Sequence, residues 1–347
     1  SRQSGHGMGL VSTLNALGRH YRNAGDFEAS LAAHREAERV ATAPRDRART
    51  LLYLGEVFIV SGDLQGAFDT FARADPLTRE LQIRVLRGRY LKLNGDALLD
   101  ADRPAEALAS YSEAESLYAE LGLAAGRSQC LYGMSRSHAA MGQTEPAIDL
   151  AIQAIDEVEA MRGTFATPQL RAFFMAQRQD YYAHVMTLLV DSQEAGSEDL
   201  SARLGTALNF SERSRARSLM DLVNEAAQQR SATGDSSERD ALYRELAEAR
   251  HRLSLEEPDT DERRRDISAT RRQLAEIENR LNLLEIELRE SDPALKGLAD
   301  PVILDVAAIQ AMLDPETALL QYALGKQRSH VFLVTDESVH AWPLPDK

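Results

Sequence analysis

Cationic and amide side chains recur through the first half of the chain at the spacings of amphipathic helices. Arginine and asparagine donate several hydrogen bonds, and such donors gathered in a chain of formal net charge −14 are suited to binding a carboxylate or an acidic segment. Apolar side chains at related positions would supply the contact area that a peptide needs. The alternative, an ordinary solvated helix face, stays open, because charges on helices often have no binding role. The candidate partner-binding residues are Asn15, Arg19, Arg22, Arg49, Leu52, Ile59, Arg89, Lys92, Tyr132 and Arg136.

Recognisable catalytic and metal-binding patterns are missing from the sequence. Cys130 is the single cysteine, and the sequence places no basic residue beside it that would activate a thiolate. We therefore expect Cys130 to be a small apolar core residue. No His-Glu-x-x-His, paired-cysteine or EF-hand spacing occurs, and no glycine-rich loop ends in Gly-Lys-Ser/Thr. The sequence predicts no catalytic residue, no metal site and no cofactor.

The candidate residues belong to a pattern that repeats along the chain. Its clearest copy is Leu54–Ala74, in which apolar residues at helical spacing flank the turn Gly62-Asp63. Glycine can end the first helix in a left-handed conformation, and aspartate can cap the second. One such pair cannot bury its own apolar face, so the pattern predicts a stack of helix pairs. Corresponding residues recur at intervals of 37 and 40, as in Gly18, Gly55 and Gly95, or of 40, as in Ala67, Ala107 and Ala147.

This layout resembles the tetratricopeptide repeat, or TPR. The resemblance implies a mainly α fold, with a TPR-type α-solenoid over residues 10–227 that has four recognisable copies and a degenerate fifth. In such a stack the first helix of each pair lines the concave face, so the resemblance implies that the candidate residues share a groove for a protein or peptide ligand. We expect Asp75-Pro76 to close the second pair. Residues 1–9 are expected to be a disordered cloning scar or a cut linker.

Composition argues against other classes of protein. The net charge of −14 disfavours nucleic-acid binding by the chain as a whole. No apolar run reaches the length of a membrane span. A single cysteine fits a reducing compartment, so we expect a cytoplasmic protein.

The pattern changes beyond the polar linker at residues 228–237. Residues 238–291 are predicted to form an antiparallel helical hairpin, since two apolar stripes flank a short turn that contains Pro258. The second stripe repeats every seven residues, which leaves open the alternative of an intermolecular coiled coil. It consists of Ile267, Leu274, Leu281 and Leu288.

Residues 298–347 are predicted to form a short helix followed by a small C-terminal β-meander. The helix is Leu304–Leu313, and the three β-rich runs are Ala318–Leu324, His330–Thr335 and Val339–Trp342. A sheet of this kind would expose an apolar face and an open edge.

Two stretches in this half resemble the CHAT family, in which TPR repeats are coupled to a caspase-like, separase-related domain. Ala207–Val223 carries a Ser-Glu-Arg-x-Arg-Ala-Arg helix, and Leu304–Leu344 carries a Leu-Leu-Gln-Tyr strand and a Trp-Pro-Leu-Pro end. The resemblance implies that residues 298–347 are the first strands of a caspase-like α/β domain, with the rest of that domain as a partner. A His-Cys dyad would lie outside this chain, because no cysteine follows Cys130.

Three hypotheses of function follow. The first is a regulatory scaffold that binds a partner protein or peptide in the groove and controls an attached caspase-like peptidase. The second is a cysteine peptidase whose His-Cys dyad lies outside this chain. The third is an oligomerisation scaffold that assembles through the helical hairpin.

Overall fold

The computed structural model describes residues 2–162, 178–192, 200–214, 304–325 and 328–345, together with scattered positions between 241 and 283. The chain forms two compact units, Ser1–Val158 and Glu159–Lys347. Within the described residues, no helix is both long and apolar enough to cross a membrane.

The first unit is a stack of helix pairs. Helices that are consecutive in the chain pack against each other from α1 to α7. Ser135 of α7 donates a hydrogen bond to the carbonyl oxygen of Ala147 in α8 at 2.6 Å. The helices are α1 (Arg2–Asn23), α2 (Phe27–Val40), α3 (Pro44–Ser61), α4 (Leu64–Glu80), α5 (Arg84–Asp100), α6 (Pro104–Glu120), α7 (Ala124–Ala140) and α8 (Thr144–Arg162).

The predicted Gly-Asp turns are confirmed in the first two pairs. Gly62 has a φ of 81°, the left-handed conformation that a residue without a side chain adopts most easily. The Asp63 carboxylate then accepts the backbone N–H of Gly66 at 2.9 Å and caps α4. Asp26 caps α2 in the same way, at 2.9 Å from the backbone nitrogen of Ala29.

Small and large residues interlock at fixed positions of each pair. In three pairs a glycine of the first helix lies against a ring sixteen residues later, His34 for Gly18, Phe71 for Gly55 and Tyr111 for Gly95. In the fourth pair the buried residues Ser135 and Ala151 take these two positions. The position twelve residues after the glycine is small and buried in all four pairs, as Ser30, Ala67, Ala107 and Ala147. These contacts confirm the predicted repeat and give a TPR-like α-solenoid.

The first helices of successive pairs form one continuous surface. Helix α1 contacts α3, α3 contacts α5, and α5 contacts α7. Contacts between the successive second helices α2, α4 and α6 are sparser among the described residues. A stack of helices that pack more closely on one side curves toward that side. The helices α1, α3, α5 and α7 therefore line the inner side of the stack. We call this surface the first-helix face.

Two expected boundaries differ from the structure. Helix α1 begins at Arg2, so residues 2–9 extend the helix instead of preceding the fold; once a helix is nucleated by packing, each added residue gains a backbone hydrogen bond. Asp75-Pro76 does not close the second pair, because α4 continues through Pro76 to Glu80. Pro76 has no N–H to donate to the carbonyl of Ala72. Ala72 and Pro76 are both exposed, so water can form a hydrogen bond with that carbonyl instead.

The second unit begins with helices where the degenerate fifth pair was predicted. Helix α9 is Gln179–Asp191, residues 200–214 are helical, and the short helix α10 is Val306–Gln310. The remaining parts of the predicted fifth pair, 163–177, 193–199 and 215–227, lie outside the described residues. Most of the predicted hairpin also lies outside them. Four residues from its two arms share one apolar cluster, as an antiparallel hairpin requires: Leu242, Leu246, Leu274 and Ile277.

The predicted meander is confirmed as a three-stranded antiparallel sheet of order β1-β2-β3. The strands are β1 (Leu319–Ala323), β2 (His330–Val334) and β3 (Val339–Pro343). On the buried face, Gln321 of β1 donates a hydrogen bond to Ser211 Oγ of the 200–214 helix at 2.8 Å. The other face is exposed and apolar, as the sequence predicts, since Leu320, Tyr322 and Trp342 are 57%, 57% and 46% exposed.

Candidate functional site

Three arginines gather around one glutamate and one tyrosine on the first-helix face. Glu56 of α3 pairs with Arg22 of α1 at 2.6 Å and with Arg89 of α5 at 2.9 Å. The ring of Tyr53, about one turn earlier on α3, lies 4.2 Å from the guanidinium carbon of Arg89 and 5.6 Å from that of Arg19. Guanidinium groups at such distances are attracted by the aromatic ring. We call Arg19, Arg22, Tyr53, Glu56 and Arg89 the arginine cluster.

The arginine cluster carries an excess of two positive charges, because Glu56 is the one carboxylate among three guanidinium groups. Arg19 is exposed and makes no ion pair within the described part of the chain. The side chains of Arg22 and Arg89 keep 20% and 30% of their surface in solvent, so they remain accessible. Neighbouring cations repel each other, and a second carboxylate placed here would relieve that repulsion.

His34 of α2 supports the cluster from within the core. Its ring stacks on Tyr53, with centroids 5.4 Å apart and planes inclined by 13°. His34 Nδ1 donates to Asn15 Oδ1 at 2.9 Å, and the Asn15 amide donates to Thr50 Oγ1 at 2.8 Å. Burial and the nearby charge of Arg22 lower the pKa of His34 to about 4, although Glu56 acts in the opposite direction. The imidazole is therefore neutral at pH 7.

The cations farther along the first-helix face are balanced by carboxylates. Lys92 Nζ lies 2.7 Å from Asp96, which also accepts a hydrogen bond from the Tyr111 hydroxyl at 2.7 Å. Burial alone would lower the pKa of Lys92, but Asp96 raises it above its ordinary value. In the next pair, Arg136 approaches Asp100 at 3.7 Å and lies 5.9 Å from the ring centroid of Tyr132. Lys92 and Arg136 thus each have a carboxylate beside them, whereas the arginine cluster has two positive charges that no carboxylate balances.

Several predicted groove residues do not line the surface as expected. Leu52 is fully buried in the core, and Asn15 is 3% exposed. Asn15 is buried because a histidine, His34, takes the place in the first pair that Phe71 has in the second, and a buried imidazole needs a polar partner. Arg49 pairs with Asp46 of its own helix at 2.7 Å, with no ion pair to the arginine cluster. Ile59 is half buried against the core.

Two residues of the cluster are absent from the predicted set, Tyr53 and Glu56. A signal for Glu56 exists in the sequence, because it directly follows the glycine of its repeat, and the same position holds Arg19 in the first repeat. This position therefore faces the same surface as Arg19, although the ion pairs of Glu56 are formed with Arg22 and Arg89. Tyr53 has no comparable signal, since its partners come from repeats on both sides.

Cys130 is buried in the core, as the sequence predicts. Burial raises the pKa of its thiol to about 12, with Lys92 acting in the opposite direction. A protonated, enclosed thiol is a poor nucleophile. Among the residues that the structure describes, no group of three His, Cys, Asp or Glu side chains is placed to hold a metal ion.

Comparison with known proteins finds similarity over parts of the chain. No model of a known protein family matches it. The regulatory protein AfsR of Streptomyces griseus is 31% identical over 146 residues, which are 42% of this chain and 15% of that protein. The chain thus spans a small part of the length of this curated relative.

Three solved structures show partial similarity to the chain at low sequence identity. The MamA protein is 16% identical with a TM-score of 0.34, over 54% of this chain and 97% of that chain. A Rap protein complexed with competence and sporulation factor is 12% identical with a TM-score of 0.47, over 80% and 76% of the two chains. The apo form of RapI is 14% identical with a TM-score of 0.41, over 81% and 97%.

Proposed function

We propose that the protein is an interaction scaffold that binds a partner protein or peptide on its first-helix face. The observation that carries this proposal is the arginine cluster, an accessible group of three guanidiniums with a single carboxylate among them, in a chain of net charge −14. A positive site on an otherwise acidic protein favours partners with a complementary charge and disfavours others.

The ligand group best suited to this site is a carboxylate, on an acidic side chain or at a chain end. A guanidinium can donate two parallel hydrogen bonds to a carboxylate, and Arg19 makes no ion pair with a described residue. Apolar contacts are available nearby at Ile59 and at Val60, which is 56% exposed. Lys92, Tyr132 and Arg136 extend the same face toward the later repeats.

The second part of the proposal is that partner binding controls an attached caspase-like domain. Support comes from the order of repeats, helical hairpin and strands, and from the similarity of Ala207–Val223 and Leu304–Leu344 to the CHAT family. In this arrangement the hairpin is the connecting strut. Sequencing the gene beyond Lys347 tests it: a later strand ending in His and another ending in Cys would support the peptidase, and a stop codon would contradict it.

Site-specific photo-crosslinking tests the binding face. A photoreactive amino acid is introduced at Val60 of α3 and, as a matched control, at the exposed Ser112 of the second helix α6. Both variants are expressed as full chains in the cells that normally produce the protein. We expect a defined crosslinked partner from position 60 and none from position 112. Equal crosslinking at both positions, or none at position 60, would contradict the proposal.

A further inference from the structure

A second cationic site lies away from the first-helix face, where the first two repeats join. It is a cleft of about 390 Å³ formed by the end of α2, the segment after it and the start of α3. The residues that line it are Arg35, Glu38, Arg39, Ala41 and Arg47. Neither the proposed function nor the fold requires three arginines at this junction.

The carboxylates near the cleft do not balance its arginines. Glu38 is the most enclosed of the charged side chains that line the cleft, 16% exposed, and it pairs with Arg47 at 3.9 Å and with Arg73 of α4. Arg39 pairs with Glu36 of its own helix at 2.5 Å. Arg35 makes no ion pair with any residue in the described part of the chain. Four arginines therefore face two glutamates, which leaves two positive charges.

Two of the arginines repel each other along α2. Arg35 and Arg39 are four residues apart on α2, so their like charges lie on one side of the helix and repel each other. Glu38 pairs with Arg47 of α3, which also lines the cleft, and with Arg73 of α4, which lies outside the lining. An anion with two negative charges in the cleft would remove this repulsion.

The lining also indicates the chemistry of the ligand. Ala41 is the one residue without a polar side chain among those that line the cleft, so the bound group must itself be polar. The planar guanidinium fork matches the oxygen atoms of a phosphate, which carries close to two negative charges at pH 7. The volume of about 390 Å³ is that of a small-molecule site.

We propose that this cleft binds the phosphate groups of a small phosphorylated molecule. The site is distinct from the arginine cluster, because its lining comes from the end of the second helix α2, the segment after it and the first turn of α3. Glu38 acts as a positioning residue that fixes Arg47 and Arg73, and Arg35 and Arg47 bind the ligand.

Isothermal titration calorimetry of the full chain with pyrophosphate tests the proposal at fixed ionic strength in chloride. We expect saturable binding at one site and a loss of affinity of about tenfold or more in the double variant Arg35→Gln, Arg47→Gln, since each removes a charge-assisted contact. The control is Arg103→Gln, an exposed arginine on another repeat that pairs with Glu106, and it should leave affinity unchanged. Circular dichroism establishes that each variant is folded.

Three results would overturn the proposal. They are the absence of saturable binding, equal affinity in the double variant, and equal loss in Arg103→Gln. A short phosphoserine peptide forms the second arm of the titration. Tighter binding of pyrophosphate supports a small-molecule ligand, and tighter binding of the phosphoserine peptide would overturn that assignment.

Discussion

Gly133 of α7 lies against the ring of Tyr111 in α6, so close that a Cβ at residue 133 would overlap the phenol. The same ring contacts Gly95 of α5, where a Cβ would stand 2.8 Å from it. Tyr111 is fully buried. Because its ring contacts both α5 and α7, it joins its own helix pair to the next one. The interlocking of glycine and aromatic ring thus acts both within a repeat and between repeats.

Substitution of Gly133 by alanine should destabilise the solenoid. The buried Tyr111 ring is fixed by its hydroxyl, which donates to Asp96 at 2.7 Å, so it cannot move away from an added methyl group. Overpacking should exceed the gain in helix propensity and lower the free energy of unfolding by about 1–2 kcal/mol. Urea unfolding followed by circular dichroism measures this change.

Gly9 provides the matched control, because it also lies within a helix but no atom lies within 4 Å of a Cβ built there. Gly9→Ala should leave the stability unchanged or raise it by up to about 1 kcal/mol. Destabilisation of the same size in both variants would show that the contact with Tyr111 is not the cause.

His34 should make the stability fall as the pH decreases below 6.5. The pKa of His34 is about 4 in the folded protein, because of burial and the charges of Arg22, Arg19 and Arg89, against which Glu56 acts. Between pH 6.5 and 4 the unfolded chain binds a proton at this residue and the folded chain does not. The free energy of unfolding therefore decreases by about 1.4 kcal/mol per pH unit through this window and is unaffected by His34 above it.

The variant His34→Phe isolates this effect, since phenylalanine occupies the equivalent position in the second repeat as Phe71. Urea unfolding at pH 7.0 and pH 5.5 should show a smaller loss of stability in the variant than in the wild type. An equal loss in both proteins would mean that other groups cause the pH dependence.

Cys130 should not react with thiol reagents in the folded protein. It is fully buried, and burial raises its pKa to about 12, so both access and the thiolate are lacking. Mass spectrometry after treatment with iodoacetamide should find unmodified protein under native conditions and one adduct in urea, because the chain has one cysteine. Rapid modification of the native protein would contradict the position of Cys130 in the core.

The sequence predicts the repeats well because small residues must alternate with large ones wherever two helices approach closely. The glycine at Gly55 recurs sixteen residues before the ring that it contacts, and the small buried residue at Ala67 recurs twelve residues after that glycine, so the pattern is visible in the linear sequence. Pro76 wrongly predicts the end of a helix. The free-energy cost of a proline within a helix depends on whether the carbonyl left without a donor, here that of Ala72, reaches water, and the sequence does not reveal this.

The binding face is predicted less completely because its ion pairs join different repeats. Arg22, Glu56 and Arg89 are more than 30 residues apart in sequence, and the choice of partner depends on how the repeats stack. The sequence predicts Asn15 on the surface, but Asn15 lies inside, because His34 occupies the position of an aromatic ring and requires a hydrogen-bond partner. Such exchanges between core and surface depend on the neighbouring helix rather than on local periodicity.

The central claim, binding of a partner at the arginine cluster, is tested most directly by measuring the affinity of the full chain for the partner recovered by crosslinking at Val60. The variant Arg19→Gln, Arg89→Gln is compared with the wild type and with a control, Arg79→Gln, Arg103→Gln, which removes an exposed arginine of α4 and the exposed arginine directly before α6. We predict an affinity at least about tenfold lower in the first variant, with a weaker dependence on salt, and no change in the control. Equal affinities of the wild type and the Arg19→Gln, Arg89→Gln variant, with both proteins folded, would contradict the claim.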